Sequence, residues 1–400
     1  MKTPTGLVTL AVAACIAAPA AMADISIKIG VLNDRSGLYA DLTGQGSVIA
    51  TQMAIEDFGA ADHGISVEVV SADHQNRPDV ASTVTRQWID QDGVDVIVDV
   101  PTSSAALAVN DIVRERQKIF LVSGAATSDL TGSACSPYTV HWTYDTWALA
   151  NGTGRAMVEV GGDSWFFLTA DYAFGHALER DTSAVVVESG GEVVGSVRHP
   201  FPGQDFSSFL LQAQASGAKV IGLANAGGDT VNSIMQAAEF GIVQAGQALA
   251  GLLVFITDVD AIGLQDAQGL VLTESFYWDM NDDTRAFSER FAALGNGNMP
   301  TMIHAGVYSS VLHYLKAVAA AETSDSDAVM AMMKEMETDD PLFGTGFVRE
   351  DGRKVHDMYL FRVKAPEESS GRWDYYELLN TIPADVAFRP MDEGNCPLVQ

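Results

Sequence analysis

The chain has 400 residues, 47% of them hydrophobic, with 23 Lys+Arg against 52 Asp+Glu and a net charge of −29. So acidic a field excludes nucleic-acid binding through a basic surface, and its plainest use is solubility through self-repulsion. A single core is also excluded as the default, because cores stop growing at about 250–300 residues, and two lobes are expected instead.

The first elements read as an export signal. Lys2 gives a positive start, Leu7–Ala18 is an apolar run too short to span a bilayer, and Ala21-Met22-Ala23 is a small-x-small cleavage site before Asp24. The expected mature chain is Asp24–Gln400, periplasmic, with a charge of −30 once Lys2 is lost. A competing reading makes Cys15, after Val12-Ala13-Ala14, a lipidated first residue, but the apolar run continues past it to Ala21. No later apolar run approaches about 18 residues, so the mature protein is expected to be soluble. Without Cys15, Cys135 and Cys396 remain, and an even pair in an oxidising compartment is expected to be bridged.

From Ile25 the pattern alternates strand and helix. Strands are read at Ile25–Val31, Ile65–Ser71, Val94–Val100 and Ile119–Ser123, with helices at Ser47–Phe58, Asp79–Asp90 and Ala105–Arg116. A second series follows Trp142. Its strands are Trp165–Ala170, Glu192–Arg198, Val220–Ala224 and Gly251–Ile256, and its helices Gly175–Ser189, Phe206–Gly217 and Thr230–Phe240. Continuous apolar strands and short loops imply α/β architecture with two doubly wound parallel-sheet lobes. A strand near Leu270–Phe276, helices Asp283–Leu294, Thr301–Ala320 and Asp327–Glu337, the strand Met358–Val363 and a tail with Trp373–Leu378 complete the chain. So much structure after the second series predicts several crossings and a stiff multi-strand hinge. The lobes are read as 24–143 plus about 277–355, and 144–276 plus about 356–400.

In doubly wound sheets ligands bind beyond the carboxyl ends of the strands, so the residues just after each strand are informative. Ser103, Ser104 and Thr127 sit at hydroxyl-rich helix starts, suited to holding a carboxylate without a basic side chain. The alternative is that Ser103 or Ser104 only caps its helix. Tyr39, Tyr172, Phe174, Trp142, Tyr144 and Trp278 offer rings for a planar or apolar ligand, although Phe174 and Trp278 read more readily as core, whereas Tyr39 and Tyr172, on loops with a polar tip, read more readily as contacts. Catalytic patterns are thin: Gly44-Gln45-Gly46 is no dinucleotide loop, and phosphate-loop, metal and nucleophile-elbow spacings are missing. No enzyme, cofactor or metal site is therefore expected.

Three segments resemble the branched-chain amino-acid-type solute-binding proteins of bacterial ABC importers, the type I periplasmic binding proteins. They are Ile27–Leu32 with Ser36-Gly37-Leu38-Tyr39-Ala40, Ser123–Thr127, and Asp171-Tyr172-Ala173-Phe174-Gly175. The resemblance implies a clamshell closing on a small ligand and docking on a membrane permease. It places Tyr39 in the pocket wall, Ser103 and Thr127 with the backbone of Ala125 on a carboxylate, and Tyr172 or Phe174 over the ligand. Asn225 and Asp258 would then meet an ammonium, although the family tends to carry Glu where this chain reads Thr257-Asp258. His141–Asp145 and Ser275–Asp279, with Trp278, look more like the branch that takes aromatic or other organic acids. The expected function is a monomeric, non-enzymatic binding component of an importer, with no nucleic-acid partner. A sensory subunit on the same clamshell and a hydrolase using Asp171, His304 or Asp258 are the alternatives.

Overall fold

A computed structural model describes residues 25–399. The export signal read over residues 1–23, with Cys15 inside it, lies outside the described residues.

The first series forms β1 (Ile25–Asn33), α1 (Gly44–Phe58), β2 (Ile65–Asp73), α2 (Pro78–Gln87), β3 (Val96–Asp99), α3 (Ser103–Arg116), β4 (Ile119–Val122) and β5 (Thr139–His141). These strands make a parallel sheet in the order β2-β1-β3-β4-β5. β3 and β4 are buried throughout, as their unbroken apolar runs predict for strands covered on both faces. Helices α4 (Thr146–Leu149) and α5 (Arg155–Glu159), joined by a π turn, lead into the second series. That series is β6 (Ser164–Ala170), α6 (Ala173–Glu188), β7 (Glu192–His199), α7 (Ser207–Ala215), β8 (Val220–Ala224), α8 (Gly228–Glu239) and β9 (Ala248–Gly251), a parallel sheet in the order β7-β6-β8-β9. The fold has the two parallel-sheet α/β lobes that the alternation predicts, in the clamshell that the resemblance implies.

One strand is misplaced by the sequence. The chain leaves the sheet at Gly251, and α9 (Ile256–Ile262) begins where the expected strand Gly251–Ile256 ends. Leu252–Phe255 is apolar because it is buried in the core, and an apolar run alone does not distinguish a strand from a buried turn.

After α10 (Leu264–Ala267) and β10 (Val271–Glu274), the helices α11 (Asp282–Leu294), α12 (Met302–Ala321) and α13 (Ser326–Glu335) return to the first sheet. α12 is buried along nearly its whole length, with Trp142 Nε1 donating to Ser309 at 2.8 Å. It packs so closely on α1 that a Cβ on Gly46 would meet His304 at 2.3 Å. His304 donates to the Thr43 carbonyl at 2.8 Å, and burial lowers its pKa to about 4, so it serves as a neutral structural donor. An antiparallel meander follows, β11 (Thr338–Asp340), β12 (Gly344–Val348) and β13 (Lys354–Val355). The chain then crosses again: β14 (Met358–Val363) pairs antiparallel with β10, and β15 (Tyr376–Ile382) pairs with β14. One core joins β14 and β15 to β6 and β8 through Phe361, Tyr376, Leu168 and Leu223. After α14 (Ala384–Ala387) the tail returns to the first sheet's side, and Cys135 and Cys396 form the expected disulfide.

The crossings enclose a buried ion pair. Arg353 is fully buried, its Nη1 donating to the Tyr144 carbonyl at 3.1 Å and lying 3.4 Å from Asp145 Oδ2, while its guanidinium sits 4.5 Å over the Phe388 ring.

Candidate ligand-binding cleft

In both sheets the strand order reverses beside the first strand of its series, between β1 and β3 and between β6 and β8. These switch points are where loops splay apart and leave a crevice. Here the two crevices face one another, and the loops after β1, β3, β4, β6, β8 and β9 converge on one small cavity of about 10 Å³.

The β1 loop is shaped by Asp34. Its carboxylate accepts from the backbone of Gly37 and Tyr39, both at 2.8 Å, and from the Asn76 side chain. An Asx-type turn of this kind fixes the loop and aims Tyr39 at the second sheet. The Tyr39 hydroxyl meets that of Tyr172, from the β6 loop, at 2.5 Å. Burial and the neighbouring Tyr172 hold the Tyr39 phenol well above its ordinary pKa, so both rings remain neutral. Phe174, in the first turn of α6, is buried at the same cavity, with Tyr144, Leu253 and Phe255 around it. Gly227 makes the close approach possible. Its φ of +58° suits glycine, and a Cβ there would meet Tyr39 Cδ1 at 2.9 Å.

The hydroxyl-bearing residues expected to hold a carboxylate follow β3 and β4, but Ser103, Ser104 and Thr127, like Ala125, are not among the residues that line the cavity, where Pro101, Gly124 and Ala126 stand instead. Ser103 and Ser104 are the first two residues of α3, whose opening N–H groups have no intrahelical partners. Thr102 holds the N-cap position and donates to Asn76, so neither serine side chain caps the helix. Ser103 Oγ accepts from the Thr127 N–H at 3.2 Å, which leaves its own proton free. Thr127 is differently occupied: its hydroxyl donates to Asp129 Oδ2 at 3.1 Å and caps the turn at Ser128–Thr131. The Ala125 carbonyl accepts from His141 Nε2 at 2.7 Å, and burial, with Arg353 nearby, lowers the His141 pKa to about 3.

Other expected residues stand back from the cavity. Asn225 is buried behind it, bonded to Thr230, Ser233 and His199. Trp278 is half-buried, its indole N–H donating to the Trp373 carbonyl at 2.7 Å. Asp258 lies in the first turn of α9 and accepts from the Phe255 N–H at 2.9 Å.

Buried acids surround the cleft without a cation among its lining residues. Burial pushes Asp99, Asp229 and Asp258 up to about 7, and Glu274 well above the usual carboxylate range, with the Asp258 charge adding to the effect. Asp99 accepts from Ser47 at 2.6 Å and from Asn33 at 3.2 Å, tying the end of β1 and α1 to the end of β3. It does so at φ +81°, followed by Val100 at +55°, a conformation that costs free energy in non-glycine residues. Sequence reading missed Asp34, Asp99 and Glu274, although an Asp opening a polar Gly-containing loop is itself a turn signal. Among the described residues no group of three or more His, Cys, Asp or Glu is placed to hold a metal, and no helix is long and apolar enough to cross a membrane. A roomier groove of about 650 Å³ lies between Trp147–Glu159 and Asn380–Glu393, but the only strand end in its lining is that of β15, away from the switch points of the two parallel sheets.

The chain matches the family described as periplasmic binding protein over residues 26–371. A crystal structure of a periplasmic binding protein from Burkholderia mallei is 51% identical, with a TM-score of 0.92 over 94% of this chain and 100% of that one. A branched-chain amino acid ABC transporter periplasmic ligand-binding protein from Burkholderia xenovorans is 42% identical, with a TM-score of 0.84 over the same shares. The Leu/Ile/Val-binding protein homolog 6 of Brucella abortus is 27% identical over 89% of this chain and 92% of its own length.

Proposed function

We propose, for a chain that belongs to the periplasmic binding protein family, that it is the solute-binding component of an ABC importer and takes a small carboxylate between its lobes. The candidates are an aromatic or aliphatic organic acid and an apolar amino acid. The observation that supports this reading is the convergence of two facing switch points on an aromatic-walled cavity, with Pro101, in the loop that leads to α3, in its wall. Helix N–H groups and a free hydroxyl proton suit a carboxylate, and the rings suit an apolar body.

A ligand of leucine or benzoate size exceeds the present cavity, so binding parts Tyr39 from Tyr172 and closure re-forms the walls around it. Ligand bridging both lobes then shifts the population toward a closed form that a permease reads. The remaining parts of the reading are cleavage after Ala23, periplasmic location, a monomer, no catalysis, and lobes spanning 24–143 plus about 277–355 and 144–276 plus about 356–400. The test is thermal stabilisation of refolded, solute-free protein by a panel that includes L-leucine, L-phenylalanine, benzoate, 4-hydroxybenzoate and short aliphatic acids. A rise in melting temperature with one class assigns the ligand class, and no shift with any member refutes the small-carboxylate reading.

A further inference from the structure

We infer that Phe201, on the loop between β7 and α7, is the gating residue of this cleft: it braces Tyr172 against Tyr39 and thereby sets how readily the lobes part. The inference deepens the solute-cleft reading and rests on it for its biological meaning.

The loop is pinned at both ends. His199, the last residue of β7, donates from Nδ1 to the Pro200 carbonyl at 2.9 Å, and its Nε2 accepts from Asn225 at 3.2 Å. At the far end the Gly203 N–H donates to Asp229 Oδ1 at 2.9 Å, and Asp229 is buried in the first turn of α8. Between these pins Phe201 is laid on Tyr172, with ring centroids 4.2 Å apart and planes 23° from parallel. The same ring stands 5.7 Å from Tyr39 across the cleft. Phe201 is only half-buried, so a role confined to filling the core does not account for its position.

Opening the clamshell breaks the Tyr39–Tyr172 hydroxyl contact and the Tyr39–Phe201 contact together, whereas Phe201 and Tyr172 travel as one body with the second sheet. Phe201 therefore does two things. It removes rotamer freedom from Tyr172, so that closure loses less entropy, and it adds ring contact that exists only in the closed form.

Hydrogen exchange on the full, solute-free protein reads this directly. Phe201→Ala is expected to speed exchange about three- to tenfold at Gly37–Thr43 and Tyr172–Phe174, while Val96–Val98 in β3 exchange as in the wild type. Phe201→Tyr retains the stack and is expected to behave as wild type, as is Phe240→Ala at the exposed end of α8. Asp229→Ala removes one pin and is expected to move the same two segments in the same direction. Unchanged exchange in Phe201→Ala overturns the inference. So does acceleration that includes Val96–Val98, which would make Phe201 a packing residue of the fold. Because no solute is added, a solute panel that shifts nothing leaves the outcome readable, and the two readings fail separately.

Discussion

Cys135 and Cys396 are joined by a disulfide with Cα atoms 5.6 Å apart, so the tail that leaves β15 on the second sheet's side is fastened to a loop of the first. Along the way the Val386 carbonyl accepts from Asn151, Arg349 donates to the Arg389 carbonyl, and Arg389 donates to the Ser128 carbonyl at 3.0 Å. The tail is thus a covalently fastened crossing over the hinge. Replacing both cysteines by Ala is expected to lower stability by about 2–5 kcal/mol in denaturant unfolding, and a reducing agent is expected to reproduce the loss in the wild type alone. Equal midpoints for the two proteins under oxidising conditions would contradict this.

Arg353 and Asp145 form a buried pair in which burial alone would raise the acid, but Arg353 holds its pKa below the usual value. Removing one partner strands a charge in the core. Arg353→Met is expected to cost about 3–5 kcal/mol, and adding Asp145→Asn is expected to recover part of it, as a double-mutant cycle in urea would measure.

Asp99 is raised to about 7 by burial, against the Ser47 and Asn33 donors that pull it down. Unfolded, an aspartate titrates near about 4. Between those values the folded chain retains a proton that the unfolded chain has released, so this group lowers stability progressively as pH rises from about 4 to about 7, and the loss persists above that. Asp99→Asn removes the ionisation and keeps an acceptor for Ser47. Its melting temperature relative to wild type is therefore expected to improve by a few degrees on going from about pH 5 to about pH 8. A difference independent of pH would show that Asp99 does not titrate in this range. The buried His141 and His304 act in the opposite sense, weakening the fold as pH falls below about 6.5.

Ser103 and Thr127, equivalent in sequence, separate in the structure. Ser103→Ala is expected to weaken the solute that stabilises the protein by about 1–3 kcal/mol in calorimetric titration, because it deletes a free hydroxyl donor. Thr127→Ala is expected instead to cost about 1 kcal/mol of stability, since its hydroxyl caps the Ser128–Thr131 turn. The reverse pattern would place the anion on Thr127.

Gly227→Ala is expected to hold the lobes apart. A Cβ there meets Leu38 O at 3.0 Å as well as the Tyr39 ring, and the backbone φ is positive, so closure would carry a penalty of about 1–3 kcal/mol. An increased radius of gyration in small-angle scattering, with the fold intact, is the expected sign. An unchanged radius would mean that the Leu38–Gly227 contact does not limit closure.

Much of the architecture is legible in the chain because it is written locally. Val96–Val98 and Val220–Leu223 are apolar on both faces, Pro78 and Thr102 stand at helix starts, and the short turns between them leave the doubly wound sheet as the main solution. Short elements escape for the same reason: Thr139–His141 and Lys354–Val355 carry too few residues for any period to show. The run Leu252–Phe255 misleads because burial gives turns and strands the same composition.

The cleft itself depends on pairs far apart in sequence. By its own composition the chain determined an acidic, two-lobed α/β protein with aromatic and hydroxyl-bearing residues at its strand ends. Only the tertiary structure decided that Tyr39 meets Tyr172 and that Ser103 keeps a free proton while Thr127 does not. It alone turned Asn225 and Trp278 inward to bonds of their own and placed Phe201 on Tyr172. Side-chain period fixes which face a residue takes, whereas a hydrogen-bond partner distant in sequence is fixed by how the elements of the two sheets come to face each other.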